Sequence, residues 1–436
     1  MKKQPPKLHV LTLGCSKNTV DSEILMAHAK ANRFLLIDDP NEADVVVINT
    51  CGFIQDAKQE SIDTILEAVN EKRQGLIKKL VVMGCLSERY KADLQKEIPE
   101  VDAYFGTQEL DKILREIGGE YKNHLIGERE LLTPSYHAYF KISEGCDHPC
   151  SFCAIPLMRG PHRSKPIEEL IVEAKILRKK GVRELNLIAQ DLTYYGMDLY
   201  GSRTLDDLLK RISDVGFDWI RLHYTFPANF PTDILSVMRE RENICKYLDI
   251  PIQHINNDIL KSMRRGISKR KTVELLDQIR TEVPGIRLRT TLITGYPNET
   301  EKIFDELSEF VQTTRFDRLG CFAYSPEEDT PAFELEDNVP NEEKHRRVEE
   351  IMSIQEQISL EKNAELVGKT LRVIIDRFES GMAIGRTEFD TPDVDNEFII
   401  TGKEDGGETT DLQIGQFYEA LVTDAEPFDL LGVVRK

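Results

Sequence analysis

Three cysteines at a CxxxCxxC spacing carry the clearest chemistry in the chain: Cys146-Asp147-His148-Pro149-Cys150-Ser151-Phe152-Cys153. A structural zinc ion normally takes four ligands, commonly as two CxxC-like pairs. Zinc here needs a fourth ligand from elsewhere, and His148, inside the loop, is a poor one. A 4Fe-4S cluster usually takes four thiolates. With three, one iron stays open to substrate or cofactor. Spacing alone leaves both readings standing.

A second set of thiols lies upstream. Cys15, Cys51 and Cys85 are spaced about 35 residues apart, and each stands beside a glycine. Each also ends an apolar run: His9–Leu13, Asp44–Thr50 and Lys79–Met83. Helical patterns at 21–32 and 56–72 separate those runs, which predicts a parallel sheet with helices on its faces. Strands of such a sheet end on one edge, where ligands bind, so the three thiols converge. The alternative is three buried structural cysteines. Cys245, near the end of a helical stretch, and Cys321, within a strand run, read as core.

Two further units follow. Six strand-like runs, near Tyr139–Ser143, Glu184–Ala189, Trp219–Tyr224, Tyr247–Pro251, Arg287–Ile293 and Asp317–Ala323, alternate with helical stretches such as Ile167–Lys180 and Lys269–Thr281. That pattern predicts a full or partial (β/α) barrel. A charged helix over 341–365 links it to about five short strands after Gly368, the size of a small oligonucleotide-binding-type β-barrel. The fold class is therefore α/β with a small all-β unit, divided 1–130, 131–363 and 364–436.

Composition narrows the function classes. The chain has 436 residues, 40% hydrophobic and 31% charged, with a net charge of −19. That excludes a largely disordered chain and favours a basic partner over a phosphate backbone. No run approaches the ~18 apolar residues of a membrane span, and Met1–Pro6 does not open a signal peptide. The expected site is cytoplasmic, without membrane contact. In that reducing compartment the eight cysteines read as metal ligands or catalytic thiols rather than disulfides.

The CxxxCxxC loop after the first barrel strand resembles the radical S-adenosylmethionine superfamily. The resemblance implies that the open iron chelates S-adenosylmethionine, whose reductive cleavage gives a 5′-deoxyadenosyl radical. The cofactor supplies the hard chemistry and the protein positions it. Over nearly the whole chain, the order of three-cysteine domain, radical domain and small C-terminal barrel (a TRAM domain) is similar to the methylthiotransferase family. That likeness implies two 4Fe-4S clusters, on Cys15, Cys51 and Cys85 and on Cys146, Cys150 and Cys153. One S-adenosylmethionine then serves as methyl donor and a second as radical source. Met158-Arg159-Gly160, Gln190-Asp191, Ile250–His254, Met263–Arg265 and Thr294-Gly295-Tyr296-Pro297 also resemble family stretches. Of these, Gly295 is the candidate for a close backbone approach to the cofactor. No catalytic acid or base is assigned.

Two branches share this chemistry. One modifies an adenosine in transfer RNA; the other adds a methylthio group to the β-carbon of an aspartate in ribosomal protein S-twelve. From Ala364 to Lys436 there are seven basic and sixteen acidic residues, a net −9. Such a barrel repels RNA and attracts a cationic protein, so direct nucleic-acid binding is not expected. Ile155–Gly160 and Ala189–Asp191 also look more like the ribosomal-protein branch. A reductant such as flavodoxin or ferredoxin is implied. The rival is a non-catalytic iron–sulfur carrier or ribosome-binding factor, for which a barrel with its own open-iron loop has no use.

Overall fold

The computed structural model describes residues 4–407 and 409–435; Met1–Lys3, Glu408 and Lys436, which entered the sequence counts, lie outside the described residues. The first unit is a parallel sheet in the order β2-β1-β3-β4-β5. Its strands are β1 (Lys7–Thr12), β2 (Leu35–Leu36), β3 (Val45–Thr50), β4 (Lys79–Gly84) and β5 (Ala103–Tyr104). Every residue of β3 is buried, as a central strand covered on both faces requires. The predicted helices are α1 (Ser16–Ala31) and α2 (Gln55–Arg73). α1 begins five residues earlier than its apolar period indicates, because Lys17 and Asn18 are buried against another domain and look like surface in the sequence. Strands β2 and β5, two residues each, are too short to leave a period. Helices α3 (Cys85–Glu97) and α4 (Leu110–Glu116) complete the unit.

The central sheet has six parallel strands, and it does not close. Its order is β13-β12-β11-β10-β9-β6, formed by β6 (His137–Lys141), β9 (Glu184–Ile188), β10 (Trp219–Leu222), β11 (Ile244–Asp249), β12 (Arg287–Thr294) and β13 (Arg318–Ala323). The short ribbon β7 (Ser143–Glu144) and β8 (Arg163–Ser164) brackets the cysteine loop. Helices from Ile167–Lys179 to Asn341–Ala364 cover the outer face, burying one apolar core that runs from Ala138 to Ile358. Cys245 is the second residue of β11 rather than the end of a helix. It is core all the same, as is Cys321.

The last unit is a closed five-stranded barrel, β14 (Thr370–Glu379), β15 (Met382–Thr387), β16 (Glu397–Lys403), β17 (Phe417–Ala425) and β18 (Asp429–Val434). It docks on the central sheet through buried charge. Arg386 of β15 donates to Glu184 of β9 at 2.8 Å and to Asp376 at 2.7 Å, and Arg221 of β10 reaches Glu184 at 3.1 Å. Asp390 and Asp395 are likewise paired with Arg318 and Arg289. These carboxylates are internal, so the barrel's exposed face is less acidic than its residue count implies.

Burial alone would raise the Glu184 carboxyl, but Arg386 and Arg221 overcome it and hold the pKa at about 2. The folded value lies below the unfolded one, so this stabilisation is complete above about pH 4.5 and is lost as pH falls toward 2. Glu184→Gln leaves two buried guanidinium groups short of a counter-charge, an expected loss of roughly 3–5 kcal/mol. Urea unfolding at pH 7 and pH 3 measures both: the variant's deficit is large at pH 7 and shrinks at pH 3.

Candidate functional site

The sheet edge brings Cys15, Cys51 and Cys85 together as expected. Cys15 precedes α1, Cys51 follows β3 and Cys85 opens α3. Gly14 has φ +83°, and a Cβ there would stand 2.8 Å from Cys51 Sγ; only glycine lets this loop close on the thiol. Asn18 pins it further, donating to Leu13 O at 2.8 Å and Thr50 O at 3.1 Å. Burial pushes the Cys85 thiol up to about 12 and raises Cys51 as well. Such thiols stay protonated unless a metal takes their protons' place.

Arg159, at the end of the short helix α5 (Ile155–Arg159), belongs to the central unit but reaches this triad. It is 1% exposed, and its positive charge lies near Cys85, Cys51 and Cys15. Its guanidinium also donates to Asp21 at 2.6 Å, to Glu144 at 3.2 Å and to Asn18. Lys141 joins Asp21 and, at 2.6 Å, Glu144. Burial opposes the Arg159 charge, but the two carboxylates outweigh it and its pKa rises well above the ordinary value. Lys17 of α1 lies 3.3 Å from the centre of the Tyr224 ring, beyond β10. The first turns of α1 thus dock on the mouth of the open barrel.

The second triad lies at the other end of α5. Cys153 is two residues before the helix, while Ala154 and Met158 pack on Cys85. The loop's ends are tied down: Cys146 N–H donates to Gly160 O at 3.1 Å, and Ser151 N–H to Met263 O at 3.1 Å. Arg265 donates to Cys150 Sγ at 3.3 Å. Burial pushes Cys146 and Cys153 up to about 12. His148 is engaged elsewhere, 2.7 Å from Asp191 and stacked at 3.7 Å on Phe226. Phe152 packs beside Met263 and Tyr296. A cavity of about 290 Å³, lined by Cys146, His148, Tyr194, Phe226, Arg203 and Arg265 among others, opens beside the loop.

Among the described residues, no three His, Cys, Asp or Glu side chains converge on a point that one metal ion could share. A cluster takes one thiolate per iron and needs no such point, so both triads suit it. Gly295 has φ +71°, a Cβ there would stand 2.2 Å from Lys344 Cγ, and its N–H donates to Glu299 at 2.9 Å. Packing and turn geometry thus account for this glycine, which does not line the cavity. Arg159 and Gln190 had only weak sequence signals. Lys17, Asp21, Glu144, Arg203 and Phe226 had none, because their partners lie in distant segments.

Residues 7–106 match the Uncharacterized protein family UPF0004, 140–311 the Radical SAM superfamily and 367–434 the TRAM domain. The chain is 64% identical over 432 residues to Ribosomal protein uS12 methylthiotransferase RimO of Chloroherpeton thalassium, covering 99% of both chains. It is 54% identical to the proteins of that name from Pelodictyon phaeoclathratiforme, covering 98% of both, and Cytophaga hutchinsonii, covering 99% of both. The chain belongs to the ribosomal protein uS12 methylthiotransferase family. Among solved structures, the fold is similar to that of the radical S-adenosylmethionine methyltransferase TsrM from Kitasatospora setae: TM-score 0.57, 12% identity, 87% of this chain and 80% of that one. The cobalamin-dependent S-adenosylmethionine radical enzyme OxsB aligns with TM-score 0.52 and 13% identity, over 81% of this chain and 56% of its own. These last two likenesses concern the fold alone. As in the radical enzymes of this family, an iron–sulfur cluster and S-adenosylmethionine belong to the chemistry.

Proposed function

We propose that this protein adds a methylthio group to the β-carbon of an aspartate in ribosomal protein uS12, with Cys146, Cys150 and Cys153 holding the radical cluster and Cys15, Cys51 and Cys85 a second 4Fe-4S cluster. The observation that carries this is the pair of three-thiol sites flanking α5: Cys153 lies two residues before it, while Cys85 packs on Ala154 and Met158 and Arg159 at its end lies beside the first triad. When bound, these groups would supply a carbon radical from one S-adenosylmethionine, and from the other a methyl group for a sulfide held at the second cluster. The protein does the rest. Arg265 steadies the radical loop through Cys150, and His148 and Phe226 wall the cavity against water. Asn18 and Gly14 shape the sulfur-side loop, and Arg159 offsets the negative charge of its thiolates. Gly295, packed on Lys344 and tied to Glu299 outside that cavity, serves the turn that ends β12.

The three units as we divide them, 1–130, 131–363 and 364–436, follow the three sheets. No helix among the described residues is long and apolar enough to cross a membrane. A cytoplasmic location, with flavodoxin or ferredoxin as electron donor, suits a ribosomal-protein substrate. The test is an anaerobic assay with reconstituted protein, S-adenosylmethionine, sulfide and reductant, given either a uS12 target-loop peptide or unmodified transfer RNA. Mass spectrometry is expected to find a hydrogen replaced by a methylthio group on the peptide alone. Modification of RNA alone would reverse the substrate assignment.

A further inference from the structure

Three guanidinium groups, those of Arg203, Arg264 and Arg265, line the cavity beside Cys146. Buried arginines elsewhere meet a carboxylate, as Arg129, Arg159, Arg221 and Arg386 do. None of these three does among the described residues. Arg265 is committed to the cysteine loop, with one nitrogen on Cys150 Sγ and another 2.5 Å from Pro251 O. Arg264 is exposed to solvent. Arg203 is half-buried, its Nε shielded from water without an acceptor, and its guanidinium stands 6.0 Å from the Tyr194 ring. The acids that line the cavity are engaged: Asp191 accepts from His148 and Thr193, and Asp147 from the His162 N–H. A shielded N–H without an acceptor, on a cation with no carboxylate beside it, is unfavourable, and a carboxylate brought into the cavity relieves it.

We propose that Arg203 binds the side-chain carboxylate of the substrate aspartate. This rests on the reaction assigned above. Hydrogen is removed there from the carbon bearing that carboxylate, and a planar guanidinium gripping both oxygens fixes the C–H bond toward the cavity. S-adenosylmethionine brings a carboxylate of its own. Arg203 stands beside Tyr194, whose ring meets His148 at 5.8 Å, and touches none of the cysteines among the described residues, whereas Arg265 touches Cys150 directly. That places Arg203 on the substrate side.

The experiment compares wild type, Arg203→Gln and Arg203→Lys as reconstituted full-length proteins of equal iron content. Anisotropy of a labelled uS12 target-loop peptide reads substrate binding. Equilibrium dialysis reads S-adenosylmethionine binding, and 5′-deoxyadenosine formed without peptide reads the radical step. Arg203→Gln is expected to weaken peptide binding at least about tenfold, with S-adenosylmethionine binding and uncoupled cleavage within about twofold. Arg203→Lys is expected to recover part of the loss. A peptide with Asn for the target Asp should bind wild type poorly and Arg203→Gln no worse than the Asp peptide does. Unchanged peptide affinity in Arg203→Gln overturns the proposal. So does a loss confined to S-adenosylmethionine, which would give Arg203 to the cofactor's carboxylate. Failure of wild type itself to modify the peptide removes the substrate assignment, and this proposal with it.

Discussion

Cys146→Ala should abolish 5′-deoxyadenosine formation, a drop of at least about 10³-fold set by loss of the radical centre rather than by any one contact. The iron content should fall by about half, because Cys15, Cys51 and Cys85 are carried by a different sheet. Cys51→Ala is the complement: it loses the other half of the iron and keeps cleavage, but forms no methylthiolated product. The two variants together separate radical generation from sulfur delivery. Iron analysis and quantitation of 5′-deoxyadenosine and product measure all three quantities. Radical formation by Cys146→Ala would overturn the ligand set, and normal product from Cys51→Ala would overturn the division of labour.

Arg159→Gln should be the most destabilising single change at the domain junction. Its side chain is 1% exposed, and its removal leaves Asp21 and Glu144 with Lys141 as their one remaining cation among the described residues. Breaking a buried pair from one side costs roughly 3–5 kcal/mol. The same change removes the positive charge beside Cys85, so iron at the first triad should fall while the second keeps its own. Arg159→Lys restores charge without the planar fork and should sit between. Urea unfolding with iron content per chain reads both effects. Wild-type stability with full iron in Arg159→Gln would show the network to be inert.

Much of this was legible in the chain. Val45–Thr50 is apolar enough to be a covered strand whatever surrounds it, and Cys51 had to follow it at the sheet edge. The CxxxCxxC loop is local, so its three cysteines stand together whatever the rest of the fold does. Sequence failed where a residue's environment comes from another domain. Lys17 and Asn18 are polar, so the start of α1 read as loop, yet both are buried by the central unit. The acids of the C-terminal barrel read as one anionic surface. Asp390 and Asp395 are in fact spent on Arg318 and Arg289 of the central sheet, which weakens the charge argument for the substrate although the family supports its outcome.

The α/β and β-barrel architecture and the radical S-adenosylmethionine family were readable from the chain, because periodicity, short spacing and motif are properties of neighbouring residues. Tertiary packing alone settled that the central sheet stays open, that α5 runs between the two thiol sites with Arg159 at the first, and that Arg203 has no counter-ion among the described residues. Each of these depends on which distant side chains pack together, and burial then turns an ordinary charge into one that must find a partner.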